Sequence, residues 1–229
     1  MHGSSYVLVC VHVILRSLFC SHWYGCLAGI IGETVKRTGR MKRMKMEALV
    51  RKAYDLGFQY EREYHGCCQC TIAAVQDALG LRNDYVFKAG SGLAVGMGCL
   101  GNAPCGGYTG GAMVLSCFFG RVRERFDDDI ENRRSSYRLV RSLHDRYIET
   151  YGSFICNDVQ EKIFGRHFNL LDEQERAMFE EAGGHRDKCT GVVASASAWT
   201  CELVLKEIED RKMDLGQFHF LRCIALHLY

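Results

Sequence analysis

A single proline in 229 residues is the strongest constraint on what this chain can fold into. Proline removes a backbone donor and breaks helix interiors, so a chain containing only Pro104 favours long uninterrupted helices over a loop-rich sandwich. Pro104 itself lies in Gly90–Gly120, a stretch holding ten glycines and three cysteines. Glycine loses more backbone entropy on ordering than any other residue, so such a cluster marks strained turns or close backbone approach. The apolar run Ala112-Met113-Val114-Leu115 follows at once. The stretch reads as a glycine-rich turn that delivers Cys105 to the first turn of a buried helix.

Helical periodicity dominates the chain from Met44 onward. Met46, Leu49, Val50, Ala53, Leu56, Tyr60 and Tyr64 recur at three and four residues, one apolar face of an amphipathic helix. Thr71–Leu79 forms a second apolar helix with Gly80 as its C-terminal stop. The charged segment from Arg121 to Arg134 reads as a solvated connection or helix start, and Tyr137 to Tyr151 as a helix ending at Gly152. A short helical segment follows Cys156. Asp172 with Glu175 has the form of a capping box, opening a helix that stops at Gly183-Gly184. Val192–Ile208 is a long run rich in alanine, leucine and valine, whereas Asp214–Tyr229 is apolar but poorly patterned. No alternating strand of convincing length and no internal repeat is present. The predicted fold is all-α, a single helical bundle over residues 44–229 with a glycine-rich turn feeding a buried helix.

Residues 1–43 stand apart as a poorly defined leader. Tyr6–Phe19 is apolar but interrupted by His12, Arg16 and Ser17, and is shorter than the about 20 apolar residues a membrane span needs. No basic segment precedes it, as a secretory signal would require. Methionines at 41, 44 and 46 sit just before the first well-patterned helix, which points to an over-extended start. The alternative is membrane association through residues 6–31. With a net charge of +2 there is no electrostatic case for a nucleic-acid partner.

Thirteen cysteines are too many to ignore in a chain that can build its own core. Small disulfide scaffolds are shorter and loop-rich, and an odd count leaves a thiol unpaired. A reducing, cytoplasmic setting follows, in which the thiols do chemistry or bind metal. Four of them share one kind of position: Cys70, Cys105, Cys156 and Cys189 each precede a predicted helix. Unpaired N–H groups and the positive dipole end at a helix N-terminus stabilise a thiolate, the nucleophile of disulfide exchange and the form that ligates metals. In a bundle, several helix ends can converge, so these four thiols can form one cluster. Cys67-x-x-Cys70 adds a local pair with the spacing of dithiol sites and of half a zinc or iron–sulfur site. A second C-x-x-C and the ferredoxin spacing are both absent.

Free cysteine often only packs, and Cys117 and Cys201, inside apolar helical runs, read that way. Cys10, Cys20, Cys26 and Cys223 carry no assignment. Gly96-x-Gly98-x-x-Gly101 matches the dinucleotide fingerprint formally. That motif needs a strand before it and a helix directly after, whereas Asn102-Ala103-Pro104 intervenes here, so the match is accidental. Histidines 65, 144, 167 and 185 show no paired metal spacing. His65 and His185 lie close in sequence to Cys67 and Cys189; either could tune a thiol or supply a ligand, although a surface histidine is the simpler assignment of both.

Cys70 followed by Ala73-Ala74-Val75, the glycine run, Cys105-Gly106-Gly107-Tyr108-Thr109-Gly110-Gly111-Ala112-Met113, then Cys156, then Cys189 before Val192-Val193 together resemble the C-GCAxxG-C-C family of redox-active proteins. The resemblance spans roughly Met46 to Glu207. Pro104 departs from the pattern before the motif cysteine, and Gly107 stands where the family name calls for alanine. The resemblance implies a helical protein with a thiol-redox or metal-linked role, and no defined substrate.

Three functions remain open on the sequence. The first is a thiol-dependent oxidoreductase in which Cys70 and Cys105 exchange electrons with a redox partner, supported by Cys156 and Cys189. The second is a protein binding zinc or an iron–sulfur cluster through Cys70, Cys105, Cys156 and Cys189, with Cys67 as an extra ligand. The third is a structural helical interaction domain whose cysteines merely pack.

Overall fold

The computed structural model describes residues 40–127, 130–216 and 218. Among these residues the protein is all-α, as the single proline and the helical periodicity predict, with eight α-helices and no strand. The chain divides into two compact units, Met1–Lys45 and Met46–Tyr229. Of the first, residues 40–45 are described and are helical. The apolar segments between residues 6 and 31, and the end of the chain beyond Phe218, lie outside the described residues. Among the described residues no helix is long and apolar enough to cross a membrane.

Helix α1 covers residues 40–64. It is followed by α2 (Cys67–Leu79), α3 (Asp84–Ala89), α4 (Gly106–Phe119), α5 (Ile130–Tyr151), α6 (Cys156–Phe164), α7 (Glu173–Glu181) and α8 (Cys189–Asp210). The core of the second unit is built by α2, α4, α5 and α8 around Ile72, Val75, Val114, Leu115, Leu143, Tyr147 and Val204. Arg138 on α5 pairs with the buried Glu207 near the C-terminus of α8 at 2.6 Å, tying those helices together.

Helix α4 is at the centre because of its glycines. Gly106 and Gly110, four residues apart on one face, abut the backbone of α2. Gly107 and Gly111, on the adjoining face, abut Tyr147, Ala196, Leu143 and Thr200 of α5 and α8. A Cβ on Gly110 would stand 2.5 Å from the Cys68 carbonyl oxygen, and one on Gly107 would stand 2.6 Å from the Tyr147 hydroxyl. Only glycine lets three neighbours crowd one helix in this way.

Several helix ends follow their sequence signals. Gly80 closes α2 in the left-handed region at φ 68°, and Gly152, at φ 79°, follows the end of α5. Asp172 caps α7, its side chain accepting from the Glu175 N–H at 2.9 Å. Only half of the expected capping box forms, because the Glu175 carboxylate is drawn to Arg166 instead. The start of α2 differs from expectation. The helix begins at Cys67, a full turn before Thr71, because Gly66 turns left-handed at φ 87° and redirects the chain there.

The candidate thiol site

Four helix starts meet at one small cavity. Cys67 is the first residue of α2, Cys105 the N-cap of α4, Cys156 the first residue of α6 and Cys189 the first of α8. All four line the cavity, which is otherwise mostly apolar, with Val95, Val159, Phe179 and Val192 among its walls. Burial raises the pKa of each of Cys67, Cys156 and Cys189, and Cys105 is the thiol that adds most to each shift.

Each thiol is placed by local chain geometry. Pro104 and Ile155 form an isolated antiparallel bridge. Across it the Cys105 N–H donates to the Phe154 carbonyl at 2.8 Å and the Cys156 N–H to the Ala103 carbonyl at 3.0 Å. The two cysteines are thereby fixed side by side despite the length of α4 and α5 between them. The glycine-rich loop before α4 turns repeatedly through the left-handed region, at Val95, Gly96, Met97, Gly98, Cys99 and Gly101. A β-branched residue there is a strained outlier, and Val95, at φ 50°, donates its N–H to the Cys67 sulfur at 3.5 Å. Tyr147, fully buried on α5, directs its hydroxyl to the Cys105 sulfur at 3.9 Å. Gln160 donates to the Cys156 sulfur at 3.5 Å, and its carbonyl oxygen accepts from the Phe168 N–H at 3.0 Å, which sets the amide's orientation.

Helix starts alone would lower these thiol pKa values. Burial outweighs that effect. It pushes the Cys67 and Cys189 thiols well above the usual range and the Cys156 thiol up to about 12, with the neighbouring Cys105 adding to each shift. Burial also raises Cys105, against which the Gly107 and Tyr108 amides and the Tyr147 hydroxyl act. Cys105 is therefore the thiol with the most groups arranged to stabilise its thiolate.

Cys70 does not line the cavity. It lies one turn into α2, where its thiol donates to the His65 carbonyl at 3.0 Å and faces Glu61. Its C-x-x-C partner Cys67 takes the position at the helix start. Cys201 is fully buried in the core and Cys117 is half-buried against it, as packing residues. The Gly96–Gly101 segment is a run of left-handed turns with no strand before it, so the nucleotide fingerprint has none of its required context.

Glu61 belongs to no motif in the sequence. Its side chain on α1 is buried, lines the thiol cavity, and leaves one carboxylate oxygen without a hydrogen-bond partner. Burial pushes its carboxyl up to about 8, with the Cys70 thiol acting in the opposite direction. His185 lines the same cavity, so it is not simply a surface residue. Amphipathic periodicity places Glu61 beside apolar Tyr60 and Tyr64, and that inward position was the one available signal.

The four cavity thiols could hold a single zinc ion only with some rearrangement. Among the described residues, the one set of three histidine, cysteine or acidic ligand atoms lying within 4.8 Å of one another is that of His65, Glu180 and His185. No three of the cavity sulfurs therefore meet that limit, whereas a tetrahedral zinc–thiolate site, with bonds of about 2.3 Å, brings its sulfurs to roughly 3.8 Å. A polynuclear iron–sulfur group holds its thiolates further apart than a single zinc ion does, so it does not require three of them within that limit.

A family model described as "Putative redox-active protein (C_GCAxxG_C_C)" matches residues 65–203, a span from just before α2 into α8 that contains all four cavity cysteines. No curated protein and no solved structure matches the chain.

Proposed function

Because the chain belongs to the C_GCAxxG_C_C family, we propose that its redox centre is the four-thiol cavity, with Cys105 as the attacking thiol and Cys67, Cys156 and Cys189 as its partners. The centre sits in a domain over residues 44–229. The observation that carries this reading is that four helix starts, one cysteine on each, line one cavity, with Cys105 tied to Cys156 by the Pro104–Ile155 bridge and to Cys67 by the Gly106 contact.

The reaction is dithiol–disulfide exchange with a small disulfide substrate. The Cys105 thiolate attacks one substrate sulfur, forming a mixed disulfide and releasing the other sulfur as a thiolate that takes up a proton. Cys67, pressed against Gly106, then attacks the Cys105 sulfur. This closes a Cys67–Cys105 disulfide and releases the second substrate thiol. Two protein thiols are oxidised and one substrate disulfide is reduced to two thiols. The Tyr147 hydroxyl and the first amides of α4 stabilise Cys105 as thiolate, and the apolar walls limit access to it.

A second reading is supported by the same burial. Four thiols raised by burial and by one another are a poor resting state for free thiolates, and a bound cation would offset both effects. Cys67, Cys105, Cys156 and Cys189 would then be ligands to an iron–sulfur cluster, which supplies one-electron transfer when bound. Cys70 has no part in that set.

Anaerobic purification with iron, sulfide and thiol analysis separates the two. The exchange reading expects no visible chromophore and the loss of two titratable thiols on mild oxidation, abolished by Cys105→Ser. The cluster reading expects bound iron and charge-transfer absorption. If the four cavity thiols are inert to oxidation and hold no metal, both readings fail, and the helical domain with packed cysteines is what remains.

A further inference from the structure

We propose that His65, Glu180 and His185, at the edge of the thiol cavity, bind one divalent transition-metal ion, and that the buried Glu61 orients His185 through its other ring nitrogen. This site is distinct from the thiols and does not depend on the chemistry assigned to them.

The side chains come together from two unusual pieces of backbone. His65 ends α1 in the left-handed region at φ 60°, followed by Gly66 at φ 87°. His185 lies on a π-helical turn, Gly184–Lys188, entered through Gly183 at φ 94°. Isolated π turns and left-handed non-glycine residues are costly and concentrate at functional sites. Here the two irregularities present their histidines to each other, with ring centroids 3.7 Å apart and planes within 7°.

The polar contacts sort into ligand and support. Glu180 lies 2.5 Å from His185 Nδ1, and one ligand atom from each of His65, Glu180 and His185 falls within 4.8 Å of the others. On the opposite side of the ring, His185 Nε2 is 3.8 Å from Glu61. A metal-bound histidine typically donates its second ring N–H to a carboxylate, which fixes its tautomer and makes it a better ligand. Glu61 is buried, with Oε1 the atom 3.8 Å from His185 and Oε2 without a hydrogen-bond partner, so it suits that task once the ring closes the gap. An ordinary surface ion pair would explain Glu180 with His185 but would need neither His65 nor a buried Glu61. His65 is exposed, so its ring can turn out of the stack and direct its lone pair at the ion. Two imidazoles and one carboxylate, with positions left for water, suit Zn²⁺, Fe²⁺, Co²⁺ or Ni²⁺; Ca²⁺ and Mg²⁺ prefer all-oxygen sites.

The test is titration of the chelator-stripped, reduced full chain with Co²⁺ alone, followed by visible absorption. The expected result is one saturable equivalent with weak d–d bands and no thiolate-to-cobalt charge transfer. His65→Ala and Glu180→Gln, both at exposed side chains, should each weaken that binding more than about tenfold. Glu61→Gln should weaken it by about tenfold, as loss of an outer-shell partner does. The proposal is overturned if no saturable binding occurs, if all bound cobalt shows thiolate charge transfer, or if His65→Ala leaves the affinity unchanged.

Discussion

Gly106 lies so close to the sulfur of Cys67 that a Cβ on Gly106 would overlap it and come within 2.9 Å of the Cys68 nitrogen. That contact joins the start of α4 to the start of α2, and so joins Cys105 to Cys67. Gly106→Ala should destabilise the protein by about 1–3 kcal/mol through overpacking, even though alanine gains about 1 kcal/mol in helix propensity. Gly191, on α8, has nothing within 4 Å of its Cβ position, so Gly191→Ala should be neutral or stabilising by up to about 1 kcal/mol. Urea unfolding of the reduced proteins measures both.

Cys70 and Cys67 are three residues apart, and only Cys67 faces the cavity. Cys70→Ser should leave the two-thiol loss on mild oxidation unchanged, whereas Cys105→Ser should abolish it. Thiol counting under denaturing conditions, before and after oxidation, distinguishes the variants. The exchange mechanism is wrong if the two substitutions behave alike.

The Tyr147 hydroxyl holds the Cys105 thiol pKa down against burial. In Tyr147→Phe that contribution is lost, so the pH at which Cys105 is alkylated should move upward. Mass spectrometry of the alkylated Cys105 peptide across a pH series reads the shift. Cys201, which lies in the core away from the tyrosine hydroxyl, serves as the internal reference.

Glu61 should make the stability of the metal-free protein fall with rising pH. Its carboxyl titrates near 8 when folded, against a usual value of 4.5, so the unfolded chain loses this proton first. The contribution is fully present below about pH 4.5 and is lost as pH rises through about 8, a change on the order of a few kcal/mol. Glu61→Gln should flatten this part of the profile. Denaturant unfolding from pH 5 to 9 in the presence of a chelator tests it, and equal slopes in the two proteins would count against a buried, protonated Glu61.

The helical class was legible in the sequence because it rests on local signals: one proline, three-and-four periodicity, Gly80 and Asp172 at helix ends. The presence of a cysteine at several helix starts was legible for the same reason. Which cysteine of Cys67-Cys68-Gln69-Cys70 begins α2 was not, since that depends on the left-handed turn at Gly66, and a glycine can equally end one helix or start the next. Glu61, Tyr147 and Gln160 carry no motif that marks them as site residues, for a different reason. Glu61 and Gln160 reach the cavity from α1 and α6, and Tyr147 reaches the Cys105 sulfur from α5, so their meeting is set by how those helices pack.

The glycines of α4 also bear on when the site comes into being. Four of the first six residues of that helix are glycine, each costing a helix about 1 kcal/mol relative to alanine, so the segment cannot hold a helical shape in isolation. Until α2, α5 and α8 close around it, Cys105 has no helix amides, no tyrosine hydroxyl and no neighbouring thiols. A newly made chain thus carries ordinary solvent-exposed cysteines, and the reactivity proposed for Cys105 would be acquired only in the final assembly of the bundle. The chemistry of the site is in this sense a checkpoint on folding, since a chain that has not packed correctly cannot perform it.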